Sequence, residues 1–270
     1  MEHCRVCVAR DEGARVIMED PVIALRCVEK TFRDFWLRPL AQAVRGLDLE
    51  VNRGEVFGLI GPNGSGKSTT IKMILGLIRP TKGSVRLFGL DPRAKAARAR
   101  LGYLPELSHL HPFLTANETV MYYAGLSGMN RTDARRRTSE LLEELNLAHV
   151  ARRPVGCFSK GMARRVAIAA ALVSSPELLI LDEPASGLDP IGAREVKELV
   201  GRLAAGGMTV LLTSHQLFDV QDICSRVTVM SEGRQVGGGT VAEIVANARD
   251  KRHALEEYFE ERLNLRKGSE

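Results

Sequence analysis

The chain has 270 residues, of which 44% are hydrophobic and 26% charged, with 38 Lys/Arg against 33 Asp/Glu. That composition suits a globular protein with a proper core, and at roughly 150 residues per domain it predicts one large domain or two packed subdomains. No apolar run approaches the ~18 residues of a bilayer span; the longest, Val166–Val173, has eight. The start, MEHCRVCVARDEG, carries acidic residues and no apolar stretch of the kind a secretion signal needs. A cytosolic chain is the expectation, with any membrane role exercised through a partner.

The five cysteines, Cys4, Cys7, Cys27, Cys157 and Cys224, are odd in number and scattered, which argues against a disulfide framework. Cys4 and Cys7 form a C-x-x-C, but no second Cys/His pair at metal spacing follows, so free thiols in an N-terminal extension are expected. The positive excess is local: Asp91–Ser175 holds 13 Lys/Arg against 7 Asp/Glu, including Arg131, Arg135, Arg136 and Arg137. A solvated basic helix is the first reading and a surface facing acidic lipid headgroups the second. Nucleic acid ranks third, because no aromatic residues interleave the charges as base stacking requires.

In chain order, residues 1–20 read as irregular. Short β-like runs follow at Val22–Val28, Ala43–Val51 and Val56–Ile60. Lys67–Leu77 reads as a helix with Ile71, Ile74, Leu75 and Ile78 at helical spacing. Ser84–Phe88 and Leu101–Leu104 are strand candidates, and Thr115 to about Ser174 is helical, with a stripe of Met162, Val166, Ala169, Ala170 and Val173. Leu178–Leu181 and Thr209–Thr213 are apolar runs of buried-strand type, separated by a helix through Val196 and Leu203. A helix through Leu217 and Val220 precedes strands near Val227–Met230 and Gln235–Val236. Gly237–Gly239 is the single low-complexity stretch, and Leu255, Tyr258, Phe259 and Leu263 share one face of a C-terminal helix expected to dock. Strands alternating with helices imply a mostly parallel sheet with right-handed crossovers.

Gly61-Pro62-Asn63-Gly64-Ser65-Gly66-Lys67-Ser68 fits G-x-x-x-x-G-K-[ST] in full, directly after the strand Val56–Ile60 and opening a helix. The glycines let backbone N–H groups converge on phosphate oxygens, and the helix N-terminus adds partial positive charge. Lys67 is expected to reach β/γ-phosphates as a point charge and Ser68 to ligate Mg²⁺, with Thr69 also among the nucleotide contacts. Leu178–Leu181 delivers Asp182 as the second acid on the Mg²⁺ side, and Glu183, one residue on, is placed to accept a proton from an attacking water.

These motifs and what surrounds them resemble the ATP-binding subunit of an ABC transporter over about Val22 to Thr240. Phe158-Ser159-Lys160-Gly161-Met162, with Ser159 standing 23 residues before Asp182, is similar to the ABC signature in the form common among ABC-2 type exporters. Three of its five positions depart from Leu-Ser-Gly-Gly-Gln, while Ser159 and Gly161 keep the places that address a phosphate. Ser159 also reads as a plain N-cap, and both readings hold together. Ser186-Gly187-Leu188-Asp189 stands where the family's D-loop does, and His215, after Thr209–Thr213, matches its switch histidine. Glu106, in Gly102-Tyr103-Leu104-Pro105-Glu106, replaces the family's glutamine; a carboxylate there still reaches Mg²⁺ or its water but adds negative charge. Phe32 holds the place of the adenine-stacking aromatic, with Phe35 and Trp36 close by as alternatives.

The resemblance implies an α/β fold of the P-loop NTPase class: a RecA-like core with an antiparallel β-subdomain, plus a helical ABC subdomain at about 91–175. The expected divisions are an extension over 1–21, the ATP-binding domain over 22–240 and a helical tail over 241–270. It also implies ATP and Mg²⁺ as cofactors and hydrolysis by Glu183 with His215. Two such domains would close head to tail, each ATP lying between one chain's P-loop and the other's Ser159, Gly161 and Asp189. The second domain is another copy or a homologous ATPase subunit. A separate transmembrane permease, engaged at the cytoplasmic face, would move the cargo, with export favoured by the Ser-Lys-Gly-Met signature and Glu106. The rival readings are a soluble ABC ATPase acting on ribosomes or nucleic acid, a P-loop kinase or GTPase, and a non-hydrolysing nucleotide sensor. The first usually carries two cassettes or a coiled-coil insertion, and the second leaves the signature, D-loop and His215 unexplained.

Overall fold

Short apolar runs broken by helices become two sheets and a layer of helices. The computed structural model describes residues 20–36, 38–214 and 217–267. Cys4 and Cys7, the extension before Asp20, and His215 lie outside the described residues. In chain order the elements begin β1 (Ile23–Arg33), β2 (Pro39–Val51), β3 (Val56–Ile60), α1 (Lys67–Ile74), β4 (Lys82–Leu87), α2 (Lys95–Arg98) and β5 (Leu101–Leu104). Next come α3 (Ala116–Leu126), α4 (Arg131–Glu144), two short 3₁₀ turns, α5 (Lys160–Leu172) and β6 (Leu178–Asp182). The chain continues through α6 (Pro190–Ala205), β7 (Thr209–Ser214), α7 (Leu217–Ile223), β8 (Arg226–Ser231), β9 (Arg234–Thr240), α8 (Val241–Asn247) and α9 (Ala254–Lys267).

A three-stranded antiparallel sheet runs β2-β1-β4, and a six-stranded sheet runs β5-β6-β7-β3-β8-β9. The larger sheet is parallel from β5 through β8, with β9 antiparallel at its edge. Its central strands are buried on both faces, as a parallel sheet demands, and the alternation of side chains divides the core. Val56, Ile60, Leu179, Leu181, Val210 and Leu212 pack towards α3, α5 and α6. Phe57, Leu59, Ile180 and Leu211 pack towards α1 and the small sheet. Gly58 sits mid-strand because α7 passes close above it: a Cβ there would lie 3.0 Å from Val220 Cγ1 and 3.1 Å from Cys224 Sγ.

Expected and observed elements agree in type, with shifts at the ends. β1 and β2 extend as one long hairpin to Arg33 and from Pro39, well beyond the apolar cores Val22–Val28 and Ala43–Val51, because antiparallel pairing continues through residues with no apolar pattern. Within 91–175, Leu101–Leu104 joins the large sheet beside β6, so the wholly helical part begins at Ala116. The basic segment is laced with ion pairs: Arg136 to Asp133 and Glu140, Arg137 to Glu140, Arg93 to Asp91, Arg100 to Glu177, and Arg165 to Glu195.

The C-terminal helix docks as expected. Leu255 is fully buried, and Tyr258 and Phe259 pack on the core. The glycines of β9 make room for it, since a Cβ on Gly237 would lie 2.9 Å from both Tyr258 Oη and Arg262 Cγ. The Gly238 N–H donates to Tyr258 Oη at 2.9 Å, and that hydroxyl donates to Gly238 O at 3.2 Å. Tyr258→Phe is expected to weaken this docking by about 1 kcal/mol. Limited proteolysis near Lys251–Arg252 should then run faster, and an unchanged cleavage rate would show that packing alone holds α9.

Candidate functional site

β3 ends at Ile60, and the chain turns through Gly61–Gly66 into α1. The side chains of Thr115, Asn130, Ser159, Asp189 and Thr240 cap α3, α4, α5, α6 and α8. α1 starts at Gly66 with no side-chain cap and no acidic residue in its first turn. The free N–H groups and partial positive charge of that end are left for an outside acceptor. Only glycine suits position 66: its φ is 106°, and a Cβ would lie 2.5 Å from Ala43 O. At Gly64 nothing lies within 4 Å of the Cβ position, so the loop is open there, while Pro62, Asn63 and Ser68 are exposed. The loop is braced from behind, because the Gly233 N–H donates to Ser65 O (2.9 Å) and Gly233 O accepts from the Arg45 N–H (2.7 Å).

Lys67 is 6% exposed and donates through Nζ to Gly61 O at 2.6 Å and Pro62 O at 3.2 Å. Burial pulls its pKa down, and Glu183, Asp182 and Glu106 act against that pull. The P-loop and all three predicted acids are therefore brought together.

Asp182 and Glu183 stand at the end of β6, and both are buried. Thr213 Oγ1, on neighbouring β7, donates to Asp182 Oδ1 at 2.6 Å and accepts from the Glu183 N–H at 3.0 Å. Glu183 has φ 48°, a left-handed conformation that non-glycine residues rarely take. Tyr103, on β5, lies against Asp182; burial first, then that carboxylate, pushes the phenol up to about 12. The Arg164 guanidinium donates to the carbonyls of Asp182 (3.1 Å) and Glu183 (2.9 Å) from the other side.

Sequence reasoning missed Thr213, Tyr103 and Arg164. The signals were a hydroxyl ending an apolar strand run, a phenol in a strand beside Glu106, and a charge inside a helix that is otherwise apolar where it meets the core.

Ser159, Gly161 and Asp189 lie elsewhere. They share a cleft of about 370 Å³ with Lys160 and Gly187, and no P-loop residue lines it. Ser159 Oγ accepts from the Met162 N–H at 3.2 Å and Asp189 Oδ1 from the Gly192 N–H at 2.7 Å, so each caps its own helix. Nothing lies within 4 Å of a Cβ on Gly161. Phe32, 40% exposed, sits on β1 opposite Ala41, two residues from the Ala43 carbonyl that abuts Gly66. Phe35 (91% exposed) and Trp36 (73%) meet edge to face at the hairpin turn, with centroids 5.4 Å apart.

The residues fit a nucleotide with a divalent cation. Ser65 Oγ is buried without a partner, the α1 N-terminus is uncapped, and Ser68 and Asp182 supply the hard oxygen donors that Mg²⁺ prefers. Thr213→Val keeps the side-chain shape and removes both bonds of the bridge, the one to Asp182 Oδ1 and the one from the Glu183 N–H. A loss of about 2 kcal/mol is expected, measured by urea unfolding, whereas an unshifted midpoint would mean that the bridge carries no load.

The sequence matches the ABC transporter family over residues 44–186. An ABC transporter ATP-binding protein of Nostoc sp. is 38% identical over 84% of this chain and 68% of its own length. The Nod factor export ATP-binding protein I of Paraburkholderia xenovorans is 40% identical over 76% of this chain and 68% of its own. The linearmycin resistance ATP-binding protein of Bacillus subtilis is 38% identical over 74% and 65%. Among solved structures, cbiO1 of Clostridium perfringens, part of an ABC transporter complex, superposes with TM-score 0.75 at 29% identity, covering 85% of this chain and 92% of that one. A dimeric ATP-binding cassette in a post-hydrolysis state with ADP and Pi gives 0.73 at 26%, covering 81% and 98%. With its P-loop, paired strand-end acids and cassette fold, the chain belongs to the ABC transporter family as an exporter-like ATP-binding subunit that hydrolyses ATP.

Proposed function

We propose that this ATPase closes over MgATP as a head-to-tail dimer and drives export through a separate transmembrane permease at the cytoplasmic face. The observation that carries the reading is the uncapped start of α1 with Lys67 buried among Glu106, Asp182 and Glu183. In it, Gly61 to Gly66 wrap the phosphates with backbone N–H groups, Lys67 meets the β/γ-phosphates, and the hydroxyls of Ser68 and Thr69 lie at the helix start. Ser68, Asp182 and Glu106 hold Mg²⁺, which supplies charge neutralisation on the phosphate oxygens. Glu183 accepts the proton of the attacking water, and His215 contacts the γ-phosphate. Phe32 stacks on adenine.

Ser159, Gly161 and Asp189 complete the site of the second copy, or of a homologous subunit. Support comes from their separate cleft, which lacks any P-loop residue, and from the open surface above Gly161. The dimeric cassette that this chain resembles supports pairing with a second ATP-binding subunit. No helix among the described residues is long and apolar enough to cross a membrane, which agrees with a permease on another chain. A cleft of about 660 Å³ beside the Glu106 loop, lined by Tyr103, Pro105, Leu110, Tyr123, Leu126 and Ala167, is the surface best suited to receive it. Export is supported by the relatives named for Nod factor export and linearmycin resistance. Ion pairing along the basic segment argues against nucleic acid as a partner.

Phe32→Ala should weaken ATP binding by about 1 kcal/mol, the value of one stacking contact, while Trp36→Ala leaves it unchanged. Titration with a fluorescent ATP analogue reads both, and a larger effect at Trp36 would move the adenine to the hairpin turn.

The composite site has a direct test. On a Glu183→Gln background, which is expected to slow turnover by 10²- to 10⁴-fold on the order of general-base loss, a Lys67→Ala chain is mixed with a Gly161→Asp chain. A mixed dimer then has one site with both lesions and one with neither, so ATP should be trapped in the mixture and little in either variant alone. Mixed dimers that form yet trap nothing would show that each site is built within one chain.

A further inference from the structure

Arg164 takes no part in the roles above, yet it is one of the most heavily bonded side chains near the site. It lies on α5, five residues after Ser159, and is 6% exposed. Burying a guanidinium is costly unless its N–H groups are bonded, and here all three nitrogens are. Nε donates to Pro184 O at 2.9 Å. Nη1 donates to Pro105 O at 2.7 Å, Glu106 O at 3.0 Å and Ser108 Oγ at 3.2 Å. Nη2 donates to Asp182 O and Glu183 O. One planar cation therefore joins the helix that begins with Ser159, the turn after β5 that carries Glu106, and the turn after β6 that carries Asp182 and Glu183.

Two further facts give the contact a purpose beyond packing. The left-handed backbone at Glu183 is strained and persists only where its surroundings hold it. It is held at its N–H by Thr213 and at its carbonyl by Arg164. The acceptors of Arg164 are all neutral oxygens, and among the described residues no ion pair consumes its charge. Burial lowers its pKa, with Asp182 and Glu106 acting in the opposite sense, so both carboxylates lie within its field.

We infer that Arg164 is a positioning residue that locks the Glu106 turn and the Asp182–Pro184 turn to the signature helix, so that the acids serving Mg²⁺ and water keep one arrangement. This rests on the proposed function of the site. Because Ser159 at the start of α5 faces the partner's nucleotide, a shift of that helix is passed through Arg164 to the acids of its own chain. Lysine preserves the charge but offers three donors from a single point and cannot bridge both turns. Glutamine preserves neither the charge nor the reach.

The test compares full-length wild type, R164K and R164Q by binding of a fluorescent ATP analogue, first in EDTA and then with Mg²⁺ titrated back, alongside steady-state hydrolysis. In EDTA both variants should bind within about threefold of wild type, which also shows that they are folded. The half-saturating Mg²⁺ concentration should rise and kcat should fall by about 10- to 100-fold, the usual effect of losing the support behind metal ligands, and R164K should not restore either. Wild-type Mg²⁺ dependence and kcat in R164K, with only a lower melting temperature, would overturn the proposal in favour of plain packing. Failure of wild type itself to bind ATP would instead defeat the assignment of the site.

Hydrogen exchange on the ligand-free wild type provides a reading independent of variants. The amides of residues 106–108, 183 and 185–186 should open as one cooperative unit with α5. Independent opening of the two turns would also overturn the proposal.

Discussion

The Lys67 ammonium is buried, bonded to two carbonyls of its own loop, and faced by Glu106, Asp182 and Glu183. Burial alone would favour loss of its proton, and the three carboxylates oppose that loss. The rest of the structure serves to bring them together. β3 delivers the loop, β6 delivers two acids from the far side of β7 in the same sheet, and the turn after β5 brings the third. Parallel strands place all three at one edge, where the helix N-terminus that follows β3 also points.

Order at that edge is maintained from several directions. Gly233 ties the P-loop to β2, and Thr213 ties Asp182 to Glu183 across strands. Arg164 brings the helical layer into the same arrangement. Ser159 and Asp189 show a different economy. Each caps its own helix and so is fixed before any partner arrives, while the cleft they share stays open.

Most of the candidate site was legible along the chain because its residues are contiguous: the P-loop, the acid pair and the signature each occupy a few adjacent positions whose residue types the proposed chemistry restricts. The element types were legible too, since buried parallel strands read as unbroken apolar runs and helices as periodic ones. The length of the β1–β2 hairpin was not, because its outer pairs are backbone bonds between residues of no distinctive pattern. Nor was the membership of Leu101–Leu104 in the large sheet, which depends on a partner strand far along the chain. The glycines of β9 looked like low complexity until α9 was seen to occupy the space they leave.

By itself, then, the sequence determined the phosphate loop, the two acids after Leu181, the cassette family and the absence of a long apolar span, all of them properties of local residue type and spacing. Only the tertiary structure decided which buried polar groups hold that site in place. Arg164 donates to residues up to 59 positions away, and Thr213 to one 31 positions away. Their acceptors are mostly backbone carbonyls, which every residue carries and which therefore leave no mark in the sequence. A bond to a carbonyl is specified by where the chain goes, and that is set by packing the sheet and helices around one core.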